Sequence, residues 1–216
     1  MKNIPIGQHM LRIADENPDN RTVIEIGTNV GSDTRRIYNI FKPCTYYAFE
    51  PDPNNYTRFE ENPVSENVIL TKCAVGDKDG TTQFNQTDCI HPQSKARFTG
   101  ASSILNPSEL LNKKSGHWMK WTDKITVPIC RLDTFMTERG NTDPITFIWC
   151  DAQGAEGYII KGATETLKRT KYFYFEVLPD VFYEGCFLLD EMLKMLPSWE
   201  IVEQYSGDIL LKNREF

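Results

Sequence analysis

Short apolar runs alternate with amphipathic stretches along this chain, the pattern of a parallel sheet covered by helices. Ile6 to Glu16 reads as a lead-in helix, and Thr22 to Ile26 as the first strand. A glycine turn follows, then a helix over about Ser32 to Phe41 and a second strand over Thr45 to Phe49. The pattern continues with a helix over Asn54 to Asn62, a third strand over Asn67 to Cys73 and a short fourth piece over Thr81 to Phe84. After a long interruption come a strand at Ile125 to Ile129 and a helical Leu132 to Arg139. Ile145 to Cys150 is almost entirely apolar, as a central strand buried on both faces should be. A helix over Ala155 to Arg169, a strand over Tyr172 to Val177 and a helix over Leu188 to Leu196 come next. Two final strands, Glu200 to Tyr205 and Asp208 to Lys212, meet at Ser206-Gly207, a tight-turn signal for an antiparallel hairpin.

The interruption, Asn85 to Asp123, is polar and without a clear period, and it carries His91, His117, Trp118 and Trp121. A loop of that length inside a compact domain is usually functional or disordered, so it is expected to border a ligand site, partly ordered. With no repeat, low-complexity tract or linker, residues 1–216 read as one domain.

Composition narrows the function classes. With 40% hydrophobic and 25% charged residues the chain is an ordinary globular one, and its formal net charge of -6 offers no global attraction to nucleic acid. No signal-peptide core is visible at the start and no apolar run suits a membrane span, so a soluble protein is expected. The six cysteines form no CxxC pair, and Cys73, Cys130 and Cys150 lie in apolar runs as small hydrophobes. That favours a reducing compartment, hence the cytoplasm, and argues against zinc.

Candidate chemistry lies at the strand ends. After the first strand, Gly27-Thr28-Asn29-Val30-Gly31 would bring backbone close to a ligand. In a GxGxxG frame only Gly27 fits, because Asn29 and Ser32 stand at the other two glycine positions, which weakens a dinucleotide reading. Glu25, two residues ahead of the turn, suits a cationic ligand instead. Glu50 ends the second strand, 19 residues after Gly31, where a carboxylate can accept both hydroxyl hydrogens of a ribose. The small residues of Cys73-Ala74-Val75-Gly76-Asp77 leave room for a flat ring. Asp151 follows the central strand and Glu176 ends its neighbour; such a pair can serve as acid and base or hold a divalent cation such as magnesium. Asp151 also suits a helix N-cap, and Glu156 the first helical turn. His117, in the loop over the acceptor, is a second candidate base. Trp118, Trp121, Phe182 and Tyr183 read mainly as anchors of loops.

The ordered series Val23 to Gly31, Ala48 to Pro51, Ala74 to Asp77, Ala101 to Leu105, Val127-Pro128 with Arg131 to Asp133, and Asp151 to Glu156 resembles the FkbM family of methyltransferases over about Thr22 to Asn213. The resemblance implies an α/β, Rossmann-like class I fold, with a seven-strand, mostly parallel sheet, helices on both faces and a C-terminal hairpin. It implies S-adenosylmethionine as donor and transfer to a hydroxyl, often of a sugar, glycan or polyketide. By position, Glu25, Gly27, Thr28, Asn29 and Gly31 would hold the methionine part, Glu50 with Pro51 the ribose, and Ala74 with Val75 the adenine. Asp151 would lie between donor and acceptor. One departure stands out: Gln153 replaces the first glutamate of the family's Asp-x-Glu-Gly-x-Glu, and a neutral hydrogen-bonding side chain is expected to be tolerated there. The competing readings are a non-catalytic methyltransferase-like binding module, or a domain of a larger glycan-modifying system, and a nicotinamide-dependent oxidoreductase. Oligomeric state and metal dependence stay open.

Overall fold

A computed structural model describes residues 5–19 and 21–216. The elements run α1 (Ile6–Glu16), β1 (Arg21–Ile26), α2 (Ser32–Phe41), β2 (Cys44–Phe49), α3 (Pro53–Glu61), β3 (Val68–Thr71), β4 (Ala74–Gly76), β5 (Gly80–Thr87), β6 (Cys89–Ile90) and β7 (Arg97–Phe98). They continue with α4 (Glu109–Lys114), β8 (Trp121–Arg131), α5 (Leu132–Glu138), β9 (Ile145–Cys150), α6 (Glu156–Gly162), α7 (Thr164–Lys168), β10 (Thr170–Glu176), α8 (Leu189–Met195), β11 (Trp199–Gln204) and β12 (Asp208–Asn213).

Seven strands form the main sheet in the order β11-β12-β10-β9-β1-β2-β3, with β12 antiparallel to both of its neighbours. Alternation along each strand sorts the side chains into two cores. Ile24, Ile26, Ile148, Phe173 and Phe175 pack on one face against Phe135 of α5, Ile159 of α6 and Met192 of α8. Val23, Tyr46, Phe147, Trp149 and Tyr174 pack on the other against Met10 and Ile13 of α1 and Ile37 and Phe41 of α2. β9 is buried at every position, which is why its sequence is a continuous apolar run rather than an alternating one. Among the described residues no helix is long and apolar enough to cross a membrane, and all six cysteines are free thiols.

The expected elements differ from the observed ones in three places. The third strand stops at Thr71, and Ala74 to Gly76 leaves the main sheet to pair with β8. The segment 85–123 contains the end of β5, a small β6–β7 hairpin, α4 and the start of β8. Its polar strands lack a legible alternation because β5, β8 and β4 form a separate three-stranded sheet with a small core of its own. The helix over Ala155 to Arg169 is two helices that meet at Ala163. Asp133, from the Arg131 to Asp133 motif, holds the start of the second one. Its carboxylate accepts the Thr166 N–H at 2.8 Å, the Thr166 hydroxyl at 2.8 Å and the Glu165 N–H at 3.2 Å. At the end of the first, Gly162 lies directly on β4: a Cβ there would stand 1.8 Å from the carbonyl oxygen of Gly76.

That contact sets two effects of opposite sign against each other. In an open helix, glycine to alanine stabilises by up to about 1 kcal/mol, whereas forcing an extra carbon into a packed interface costs about 1–3 kcal/mol. With backbone as the obstacle, packing wins, so Gly162→Ala is expected to lower stability by about 1–3 kcal/mol. Urea denaturation measures it, and a gain in stability would show that α6 lifts off β4 at little cost.

Candidate active site

The turn after β1 is built from left-handed backbone. Gly27 (φ +86°) and Gly31 (φ +82°) are joined there by Asn29 (φ +51°). Asparagine visits that region at modest cost, which is how the turn forms without the missing glycine. Neither glycine has room for a side chain: a Cβ on Gly27 would lie 1.9 Å from the Asp151 carbonyl oxygen, and one on Gly31 would lie 2.6 Å from the Phe59 ring. The turn aims the Asn29 N–H at Glu50, which accepts it on Oε2 at 2.7 Å. Glu50 Oε1 accepts the Asp52 N–H at 2.9 Å and the Asn55 amide at 3.4 Å.

A cavity of about 240 Å³ runs across the carboxyl ends of β1, β2 and β9. Gly27, Thr28 and Asn29, Glu50 with Pro51, the apolar Ala74 and Val75, and Asp151 all line it. Burial raises the Glu50 carboxyl to about 7, opposed by the hydrogen bonds it accepts. A carboxylate, a flat apolar wall and an acidic end suit a ligand with paired hydroxyls, an aromatic ring and a cationic tail, so the residues fit S-adenosylmethionine.

At the acidic end, Asp151 is reached by solvent through the cavity although protein atoms surround it closely, and burial raises its carboxyl. Glu176 is pushed up to about 9 by burial and by the neighbouring Asp151, Glu156 and Asp208 charges. The Gln153 amide lies between the two carboxylates, with Nε2 donating to Asp151 at 2.7 Å and to Glu176 at 2.9 Å. A divalent cation at this point would need oxygen lone pairs, and the amide presents hydrogens instead. Among the described residues no three His, Cys, Asp or Glu side chains converge as a cation site. The donor set does not fit a metal.

Several residues named from the sequence lie off the cavity wall. Glu25 faces the α2 side of the sheet, 1% exposed, and its Oε2 accepts the Tyr46 hydroxyl at 2.7 Å and the Thr28 hydroxyl at 3.1 Å. Strand alternation aims it away from the ligand, so it braces the turn rather than touching the methionine part. Gly31 packs on Phe59. His117 stands exposed in the turn after α4 (φ +59°), away from the cavity. Asp151 caps no helix, since α6 starts at Glu156 behind Ala155; Glu156 is buried and accepts the Ala152 N–H at 2.8 Å. Trp121 and Tyr183 anchor a loop as expected, both donating to the Ala101 carbonyl, at 3.2 and 3.1 Å. Residues the sequence reading gave no role include Asp33, which lines the cavity, and Ser103, whose hydroxyl donates to the Gln153 carbonyl at 2.9 Å. Ser103 lies in a quoted motif, which was its one signal. Asp208 comes beside Glu176 only through the register of β12 on β10.

The sheet order with one reversed strand, and a cavity at the carboxyl ends of its central strands, define a Rossmann-like class I methyltransferase. The fold superposes on the METTL16 MTase domain with a TM-score of 0.51 at 12% identity, covering 97% of this chain and 66% of that one. The chain belongs to the methyltransferase FkbM domain family, whose profile matches residues 25–205. It is 34% identical over 204 residues to the 2-O-methyltransferase NoeI of Sinorhizobium fredii (strain NBRC 101917 / NGR234), covering 92% of this chain and 81% of that protein. It is 25% identical over 151 residues to Methyltransferase 1 of Beauveria bassiana (strain ARSEF 2860), covering 67% of this chain and 59% of that protein. The protein is therefore an S-adenosylmethionine-dependent methyltransferase, and the nicotinamide reading is set aside.

A carboxyl raised to about 7 makes donor affinity depend on pH. Glu50 is expected to accept both ribose hydroxyls, which needs its ionised form. Below pH 7 a proton must first leave, so S-adenosylhomocysteine is expected to bind more weakly as pH falls from 7 towards 5.5. The limiting slope is about tenfold per pH unit. Glu25 and Glu156 are also raised to about 7 but lie off the cavity wall. Calorimetric titration across that range checks this; a flat profile would remove the ionised Glu50 from ribose binding.

Proposed function

We propose that this protein transfers a methyl group to a hydroxyl of a sugar or glycan, with Asp151 as the group that takes the hydroxyl proton. The observation that carries the reading is the position of Asp151: at the end of the central strand β9, solvent-reachable, lining the same cavity as Glu50, whose strand β2 lies two places away in the sheet. The relative named for 2-O-methylation supports the hydroxyl acceptor. When bound, the donor supplies a methyl group already made electrophilic by its sulfonium.

The chain's own residues then have three tasks. Gly27 to Asn29 and Glu50 hold the donor. Asp151 places negative charge beside the cationic end, which attracts a charged donor more than a neutral product. Asp151 also accepts the acceptor's proton as the new bond forms, and its raised carboxyl moves its basicity toward the working pH. Glu176 holds its proton more tightly than an exposed glutamate, because burial and the neighbouring Asp151 charge raise its carboxyl. A single domain over residues 1–216 working in the cytoplasm fits this reading and the six free thiols.

Asp151→Asn keeps the shape and removes the base. Turnover with a polyol or glycan acceptor should fall by about 10²–10⁴-fold, while S-adenosylhomocysteine binding stays within about threefold. Single-turnover methyl transfer and calorimetry measure the two. Unchanged turnover would take Asp151 out of the proton transfer, and absence of transfer to any hydroxyl-bearing acceptor by the native protein would defeat the acceptor class.

A further inference from the structure

Gln153 stands between the two carboxylates with its orientation determined. Nε2 has two hydrogens and uses one on Asp151, at 2.7 Å, and the other on Glu176, at 2.9 Å. Its Oε1 lies 3.1 Å from the Tyr183 hydroxyl, which has one hydrogen to share with the Ala101 carbonyl, also at 3.1 Å. Turning the amide over would set a carbonyl oxygen against two carboxylates, so the network selects the observed rotamer.

The backbone is held as firmly as the side chain. Gln153 has φ +53° and Gly154 φ +93°. The Ser103 hydroxyl donates to the Gln153 carbonyl, and Tyr183 closes over Gly154 so tightly that a Cβ there would lie 2.9 Å from its ring. A glutamine on a free loop would leave two carboxylates to water; this one has nowhere to go.

The charged groups acting on the pair from elsewhere are Asp33 of α2, Glu156 of α6 and Asp208 of β12, all acidic. None of the three offsets the charge of Asp151 and Glu176, and Asp33 is itself paired with Arg36 at 2.9 Å. The crevice between two carboxylates in acidic surroundings is where a divalent cation would be drawn, and the carboxamide fills it with donors.

We propose that Gln153 is a positioning residue standing in the place of a cation: its amide ties Asp151 to Glu176 at fixed separation and closes their crevice to divalent metal. The reaction then runs without such a metal, and the identity of a single side chain decides this. The proposal depends on the methyl-transfer reading only for what Asp151 does; the closing of the crevice is testable without turnover.

The test is a titration of manganese(II) followed by the loss of its free electron paramagnetic resonance signal, with S-adenosylhomocysteine bound throughout. The full-length wild type is expected to leave the signal unchanged at millimolar metal, and EDTA is expected to leave its methyl transfer unaltered. Gln153→Glu, which adds a third carboxylate, is expected to take up one equivalent of manganese, at least about tenfold more tightly than wild type, and to lose it again when Asp151→Asn is added. Uptake by the wild type that Asp151→Asn abolishes would overturn the proposal, as would a folded Gln153→Glu that takes up none. If Gln153→Glu does not fold, Gln153→Ala empties the crevice of its donors: manganese uptake above wild type supports the proposal, and uptake equal to wild type overturns it. Because the signal reports metal and not product, failure here is separable from failure of the Asp151→Asn turnover prediction.

Discussion

The contact on which the site depends is the one between Gly27 and the Asp151 carbonyl, where a Cβ would stand 1.9 Å from the oxygen. Because residue 27 has no side chain, the turn after β1 and the loop after β9 lie against each other. The Asp151 N–H adds a ladder hydrogen bond to the Ile26 carbonyl at 2.9 Å. The donor-binding turn and the candidate base are thereby one body rather than two loops. Beyond Asp151 the backbone bends through the left-handed Gln153 and Gly154, and the Gln153 amide meets Asp151 and Glu176.

Burial of acids is the second constraint, and it carries a cost in stability. Glu25, Glu50 and Glu156 are raised from 4.5 to about 7, and Glu176 to about 9, chiefly by desolvation. In each case the folded state binds its proton more tightly than the unfolded chain does. Their contribution is therefore fully present below about pH 4.5 and is lost as pH rises through 7 to 9. In the proposed reading the donor's positive end answers Asp151, and the ribose hydroxyls answer Glu50. Glu25 meets no such ligand; it braces the turn through Tyr46 and Thr28 while its Oε1 has no hydrogen-bond partner.

Much of this was legible in the sequence where the physics is local. The bounds of α1, the apolar run of β9 and the Ser206-Gly207 hairpin follow from periodicity and turn chemistry, and the structure has them. That Gly27 to Asn29, Glu50 and Ala74-Val75 line one cavity was also legible, because these residues follow strand ends one after another along the chain. What escaped had long-range causes. The break between α6 and α7 depends on Gly162 meeting Gly76, some 86 residues earlier in the chain. The direction of Glu25 depends on which face of β1 meets α2, and a two-residue spacing ahead of a glycine turn does not reveal it. His117 had nothing but its place in a polar segment to recommend it, and that segment carries it into an exposed turn.

The acceptor end shows why family motifs speak more clearly about donor than acceptor. Ser103 reaches Gln153 across 50 residues, Tyr183 across 30, and Gln153 reaches Glu176 across 23. Asp208 arrives beside Glu176 only because the antiparallel strand β12 pairs with β10 in that register. Each partner is ordinary in its own sequence neighbourhood, so no short pattern announces the cluster. A substitution inside a motif can nevertheless alter it: glutamine offers two hydrogens and no charge where glutamate would offer lone pairs and a negative charge. The backbone that fixes residue 153 is indifferent to that choice, since Ser103 binds its carbonyl. The fold is thus free to keep its shape while one side chain changes what two carboxylates accept between them.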